Sequence, residues 1–95
     1  MIALMVQFTV KPGTETEAVE YIRKMQKNTR SEPGCRMYVG QRSIENPRRF
    51  CFYEQYDNQA ALDAHRAAPY FREYVTNGLT PLMESVTREL FHPVD

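Results

Sequence analysis

Three residue types recur at spacings that suggest a small-molecule site. Glu54 sits between Phe52 and Tyr56, His65 follows Glu54 by eleven residues, and Tyr70, Phe71 and Tyr74 come shortly after. A neutral imidazole beside an apolar pocket can take a proton from a phenol or quinol, leaving an electron-rich anion. A carboxylate within reach of that imidazole would hold one tautomer and raise its basicity. On this reading His65 is the base, Glu54 orients it, and Phe52, Tyr56, Tyr70, Phe71 and Tyr74 line a pocket for a flat substrate. Each residue also has a plainer reading. His65 can tie a helix to a strand by a hydrogen bond to Glu54 or to backbone. Glu54 can be a buried acceptor or pair with Arg66 or Arg88, and the aromatic residues can be core.

Other chemistries lack their residues. The two histidines fall in different elements with no carboxylate at ligand spacing, so no metal site is expected. No glycine-rich phosphate loop or dinucleotide fingerprint is present, and no cofactor is expected. Twelve basic and twelve acidic residues cancel, which leaves no basic face for a phosphate backbone, and nucleic acid is not an expected partner.

The elements that would position these groups follow from periodicity. Ile2 to Val10 alternates as a strand, but Ala3 and Met5 make its second face apolar as well. Lys11-Pro12-Gly13 breaks it. Thr14, with Glu17 three residues on, predicts a capping box opening a helix. Ala18, Val19, Ile22, Met25 and Gln26 form its inner stripe, and Pro33-Gly34 stops the chain after it. Cys35 to Ser43 is a second strand and Arg49 to Tyr56 a third, joined by a turn near Asn46-Pro47. Asp57 or Asn58 caps a helix from Gln59 to about Ala67 that turns Ala61, Leu62 and His65 inward. Pro69 opens a short third helix, which Asn77-Gly78 is expected to close. About Glu84 to Phe91 forms a last strand.

The order βαββα(α)β is the split βαβ, ferredoxin-like α+β arrangement: one antiparallel four-stranded sheet with helices on one face. Helices cover only one face, yet strands one and three look apolar on both. A second copy of the chain, docked sheet to sheet, would cover the other. Arg36, Tyr38, Tyr53 and Gln55 are assigned to that dimer face. The turn pairs Cys51 with about Arg42 and leaves Cys35 beyond the partner strand, so no disulfide is expected. Free thiols, the lack of a basic leader before the first strand, and the lack of an apolar run near the ~20 residues that span a bilayer lead us to expect a cytoplasmic protein, not a membrane one.

Phe52-Tyr53-Glu54-Gln55-Tyr56, Ala60-Ala61-Leu62, His65 and Pro69-Tyr70-Phe71, with Glu32-Pro33-Gly34-Cys35 ahead of strand two, resemble the antibiotic biosynthesis monooxygenase family. The resemblance spans residues 1–95 as a single domain and implies a homodimeric α+β barrel. It also implies one of several activities: cofactor-free oxygenation of quinols and aromatic polyketides, heme degradation, or isomerisation of a sugar-derived signal. Heme-degrading members carry an Asn, a Trp and a ligating His where this chain has Val6, His65 and Val75, which removes that branch. The isomerase pattern meets Gln26, Asn28, Tyr38 and Gly40. The expected function is thus a cofactor-independent monooxygenase of a small phenolic or quinol substrate, the alternative being a small-molecule-binding dimer or isomerase.

Overall fold

The structure, a computed structural model, describes residues 1–95. Strand β1 (Ile2–Val10) is followed by helix α1 (Glu15–Thr29), strands β2 (Cys35–Arg42) and β3 (Arg49–Tyr56), and helix α2 (Gln59–Ala67). A short helix α3 (Pro69–Phe71) runs on as a π-helical segment, Arg72–Leu79, and a 3₁₀ turn, Thr80–Leu82, before strand β4 (Met83–Phe91). The strands lie in the order β2-β3-β1-β4 with every neighbouring pair antiparallel. This is the ferredoxin-like βαββαβ arrangement expected from the sequence.

Alternation in β1 sorts its side chains by face. Leu4, Val6, Phe8 and Val10 are buried beneath the helices, cross-strand from Glu54, Phe52 and Phe50 of β3. Phe8 stacks on Phe50 at 5.7 Å between ring centroids. From α1, Ala18, Ile22 and Met25 close over them. Burial of this cluster is the main favourable term of the fold.

Two local signals act differently from expectation. The capping box does not form: the Thr14 hydroxyl donates to the Lys11 carbonyl, and the Glu15 carboxylate accepts from the Gly13 amide. A proline-glycine turn one residue earlier has drawn both groups into itself. Nor does Gly78 close the third helix, because the chain stays helical through Leu82. A Cβ at Gly78 would lie 2.9 Å from the Tyr21 ring, so this glycine permits close approach to α1 instead of supplying a left-handed cap.

The hairpin register also differs by one. Gln41 pairs with Cys51, and Cys35 pairs with Tyr56 inside the sheet. Both thiols are free. A bulge between Cys35 and Met37 places Arg36 outside the ladder, where it pairs with Asp57. Tyr38 then lies opposite Glu54 and faces the helices, 2 % exposed. Its assignment to the opposite face is therefore corrected: its parity ties it to Gly40 and Phe52, not to Tyr53 and Gln55.

Candidate functional site

Asn58 starts the helix that carries the candidate base. Its side chain accepts from the Ala61 amide, a local N-cap that sets the phase of α2. Leu62 and His65 then share the inward face, both buried. The His65 ring packs between Tyr56 and Phe71, each at 5.2 Å between ring centroids, with Phe71 edge-on. Tyr38 completes the surround at 5.7 Å.

The carboxylate that orients this ring is Glu32, which sequence reasoning had read only as part of a helix-stopping loop. His65 Nδ1 stands 3.0 Å from Glu32 Oε2, and the same oxygen accepts the Tyr70 hydroxyl. A carboxylate only accepts, so Nδ1 carries the proton and Nε2 keeps a free lone pair. Glu54, the expected orienter, stands on the other side: its Oε1 is 3.8 Å from His65 Nε2, beyond hydrogen-bond length. Tyr56 donates to that same oxygen at 2.5 Å. The imidazole thus sits between two carboxyl groups, bonded to one and separated from the other by a gap.

Gly34 makes the Glu32 contact possible. A Cβ there would fall 2.5 Å from the Ala61 Cβ, so only glycine lets the loop after α1 lie against α2. The Asp57 amide donates to the Gly34 carbonyl and pins the loop. Gly34→Ala is expected to cost roughly 1–3 kcal/mol through overpacking. Thermal melting should show it as a fall of several degrees, since each kcal/mol moves a domain of this size by roughly 4–8 °C; an unchanged midpoint would mean the loop moves freely.

Burial governs the electrostatics. It lowers the His65 pKa, an effect that the Glu32 carboxylate partly opposes, so the ring is neutral near pH 7. It pushes the Glu54 carboxyl up to about 7, against the opposing influence of Tyr56 and of Arg66 and Arg88. The Tyr38 and Tyr56 phenols are likewise raised by burial and stay protonated.

A cavity of about 430 Å³ opens beside these groups. Eight of its twelve lining residues are hydrophobic, among them Val6, Phe52, Phe71 and Leu79, which suits a flat apolar molecule. Glu54, His65, Arg66 and Arg88 are its polar lining, with the Tyr38 phenol beside them. His65 and Glu54 are only 2 % and 3 % exposed, so each meets the cavity by an edge.

Of the aromatic residues expected to line the pocket, Phe52 and Phe71 do so. Tyr56 and Tyr70 stand behind the wall, bonded to Glu54 and Glu32. Tyr74 is elsewhere: it packs against Tyr21 at 6.3 Å, beneath the Lys24 ammonium. Its place at the cavity is taken by Val75 and Leu79, because the chain continues helically past Gly78. Tyr38 and Arg88 also line the cavity, although neither had been placed in the pocket from sequence.

A family model described as antibiotic biosynthesis monooxygenase matches residues 1–77. A crystal structure of an antibiotic biosynthesis monooxygenase superposes with a TM-score of 0.93 at 27 % identity, covering 100 % of both chains. The structure of Rv0793 from Mycobacterium tuberculosis gives 0.90 at 26 % identity over 99 % of this chain and 95 % of that one. Protein SO0527 from Shewanella oneidensis gives 0.90 at 29 % identity over 97 % and 89 %. The uncharacterized protein sll1783 from Synechocystis is 38 % identical over 66 residues, which are 70 % of this chain and 45 % of that protein. The chain therefore spans less than half the length of this curated relative.

Proposed function

Because the chain belongs to the antibiotic biosynthesis monooxygenase family, we propose that it is a monooxygenase of a small phenolic or quinol substrate bound in the cavity between sheet and helices. One observation carries the reading: His65 lines the cavity and is clamped through Nδ1 by Glu32, which leaves Nε2 without a hydrogen-bond partner. Nε2 takes the phenolic proton, and the imidazolium so formed is stabilised between Glu32 and Glu54. The substrate anion then reduces dioxygen directly. For a naphthol the balance closes without another reductant: one oxygen atom enters the ring to give the naphthoquinone, the other leaves as water, and all four electrons come from the substrate. Oxygen uptake over a panel of hydroquinones and naphthols tests this, and a rate no higher than without protein would refute it.

A second reading rests on how completely His65 and Glu54 are covered. On it the cavity binds a small hydrophobic metabolite or serves an isomerisation, without oxygen. Thermal stabilisation by aromatic ligands with no oxygen consumed is the result that would favour it.

The assembly proposed for either reading is a homodimer through the open sheet face. Ala3, Met5, Met37, Val39, Tyr53 and Phe91 make one half of it mostly apolar, interrupted by Gln55 and Glu89, and Met37 and Phe91 are each 42 % exposed. The other half is polar, with Gln7, Thr9, Gln41 and Arg49, so the apolar character of the second face is confined to one end. Light scattering should return twice the 11.1 kDa chain mass; a monomer at micromolar concentration would count against it.

Glu54 makes stability depend on pH in the direction opposite to most carboxylates. Its ordinary value is 4.5 and its folded value about 7, so folding binds a proton in between. The contribution is fully present below about pH 4.5 and is lost as pH rises through about 7, a span worth about 3 kcal/mol. His65, held low, contributes in the opposite sense. Denaturant midpoints of the native protein minus those of Glu54→Gln, taken from about pH 4 to about pH 8, should fall with pH. A flat difference would place Glu54 in water.

A further inference from the structure

The cavity carries two charges for which proton abstraction has no use. Arg66 and Arg88 both line it, and they come from opposite layers. Arg66 follows His65 on α2, whereas Arg88 stands on the edge strand β4, opposite Val6. Both share the cavity lining with the buried Glu54 carboxyl and oppose the rise of its pKa. Neither is held by an acceptor within the chain. Arg30, Arg36, Arg42, Arg48 and Arg49 each donate to a carbonyl, carboxylate or amide oxygen; of the four arginines with no such partner, Arg23, Arg66, Arg72 and Arg88, only Arg66 and Arg88 line the cavity. Two free guanidinium groups at the wall of a mostly apolar slot, against the single carboxyl group of Glu54 in its lining, leave an excess of positive charge. A guanidinium recognises a carboxylate through paired N–H donors.

We propose that the cavity's ligand is an aromatic acid, its ring held against Phe52 and Phe71 and its carboxylate held by Arg66 and Arg88. This rests on the reading of the cavity as the ligand site, and it names the ligand's chemical class. An ortho-hydroxy acid such as 1-hydroxy-2-naphthoate meets both demands, offering a phenol to His65 and an anion to the arginines.

Isothermal titration without oxygen separates binding from turnover. The probes are 1-hydroxy-2-naphthoate and its carboxamide, which share ring and hydroxyl and differ in charge. The acid should bind about tenfold or more tightly than the amide, and added salt should shrink the preference. In the Arg66→Gln, Arg88→Gln double variant it should fall below about threefold, while Arg88→Lys should keep part of it. Circular dichroism melts establish that the variants fold, as expected for two largely exposed side chains. Equal affinities, a preference that survives the double variant, or no binding of either probe would each overturn the proposal. Oxygen uptake with neutral 1-naphthol is scored separately. Acid preference with no uptake for any naphthol would support the ligand class and defeat the oxygenase reading. Uptake without acid preference would do the reverse.

Discussion

Replacing His65 by alanine is expected to lower the oxygenation rate by about 10²–10⁴-fold, the usual contribution of a positioned general base. The difficulty is that His65 is also buried and bonded, so its loss disturbs the helix–loop junction whatever its chemistry. His65→Asn separates the two roles. Its side-chain amide can still donate to Glu32 where Nδ1 did, but nothing replaces Nε2. If the ring is the base, the asparagine variant keeps most of the melting temperature and loses the activity. If the ring is structural, the asparagine variant keeps both and only alanine is impaired. Stopped-assay oxygen uptake beside calorimetric melting distinguishes these outcomes.

Glu32→Gln should have the next largest effect, on the order of 10²–10³-fold in kcat, by analogy with the loss of an orienting carboxylate elsewhere. The amide can donate to Nδ1 and so stabilise the tautomer whose Nε2 is protonated and unable to act as base. It also removes the charge that holds the His65 pKa up against burial. The acid limb of the pH–rate profile should therefore move to lower pH, a shift that a loosened structure alone would not produce. Tyr70 loses its charged acceptor too, and a stability loss of about 1–3 kcal/mol should accompany the change. Glu54→Gln, by contrast, should cost less than tenfold, because Glu54 is not bonded to the ring. A larger loss at Glu54 than at Glu32 would restore Glu54 to the orienting role that sequence spacing suggested.

Much of this site was legible before any fold was known. A cap at Asp57 or Asn58 and the spacing of Ala61, Leu62 and His65 placed the imidazole on the inner face of α2, because helical phase follows from a few neighbouring residues. Alternation in β1 and β3 likewise put Phe52 and Glu54 under the helices. The orienting carboxylate was not legible in this way. Glu32 and His65 are 33 residues apart, and what brings them together is the fit of Gly34 against Ala61, a contact with no local periodicity.

Residues that could do chemistry, an imidazole, one carboxylate and an aromatic run, were therefore legible in the sequence alone, as were the element order and the face of α2 that His65 occupies. Which carboxylate bonds the ring, which face Tyr38 takes, and which aromatic residues reach the cavity were decided only by tertiary structure. The physical reason is one of range. Side-chain direction along a helix or strand repeats with the backbone and can be read from neighbours. A β-bulge at Arg36, a glycine packed on a distant helix, and a third helix that runs past Gly78 are settled by close packing between segments far apart in the chain. Glu54 and His65, singled out by their spacing, do meet at one cavity wall. The fold brought Glu32 to the Nδ1 side of the ring, opposite Glu54, and so changed which carboxylate the imidazole answers to.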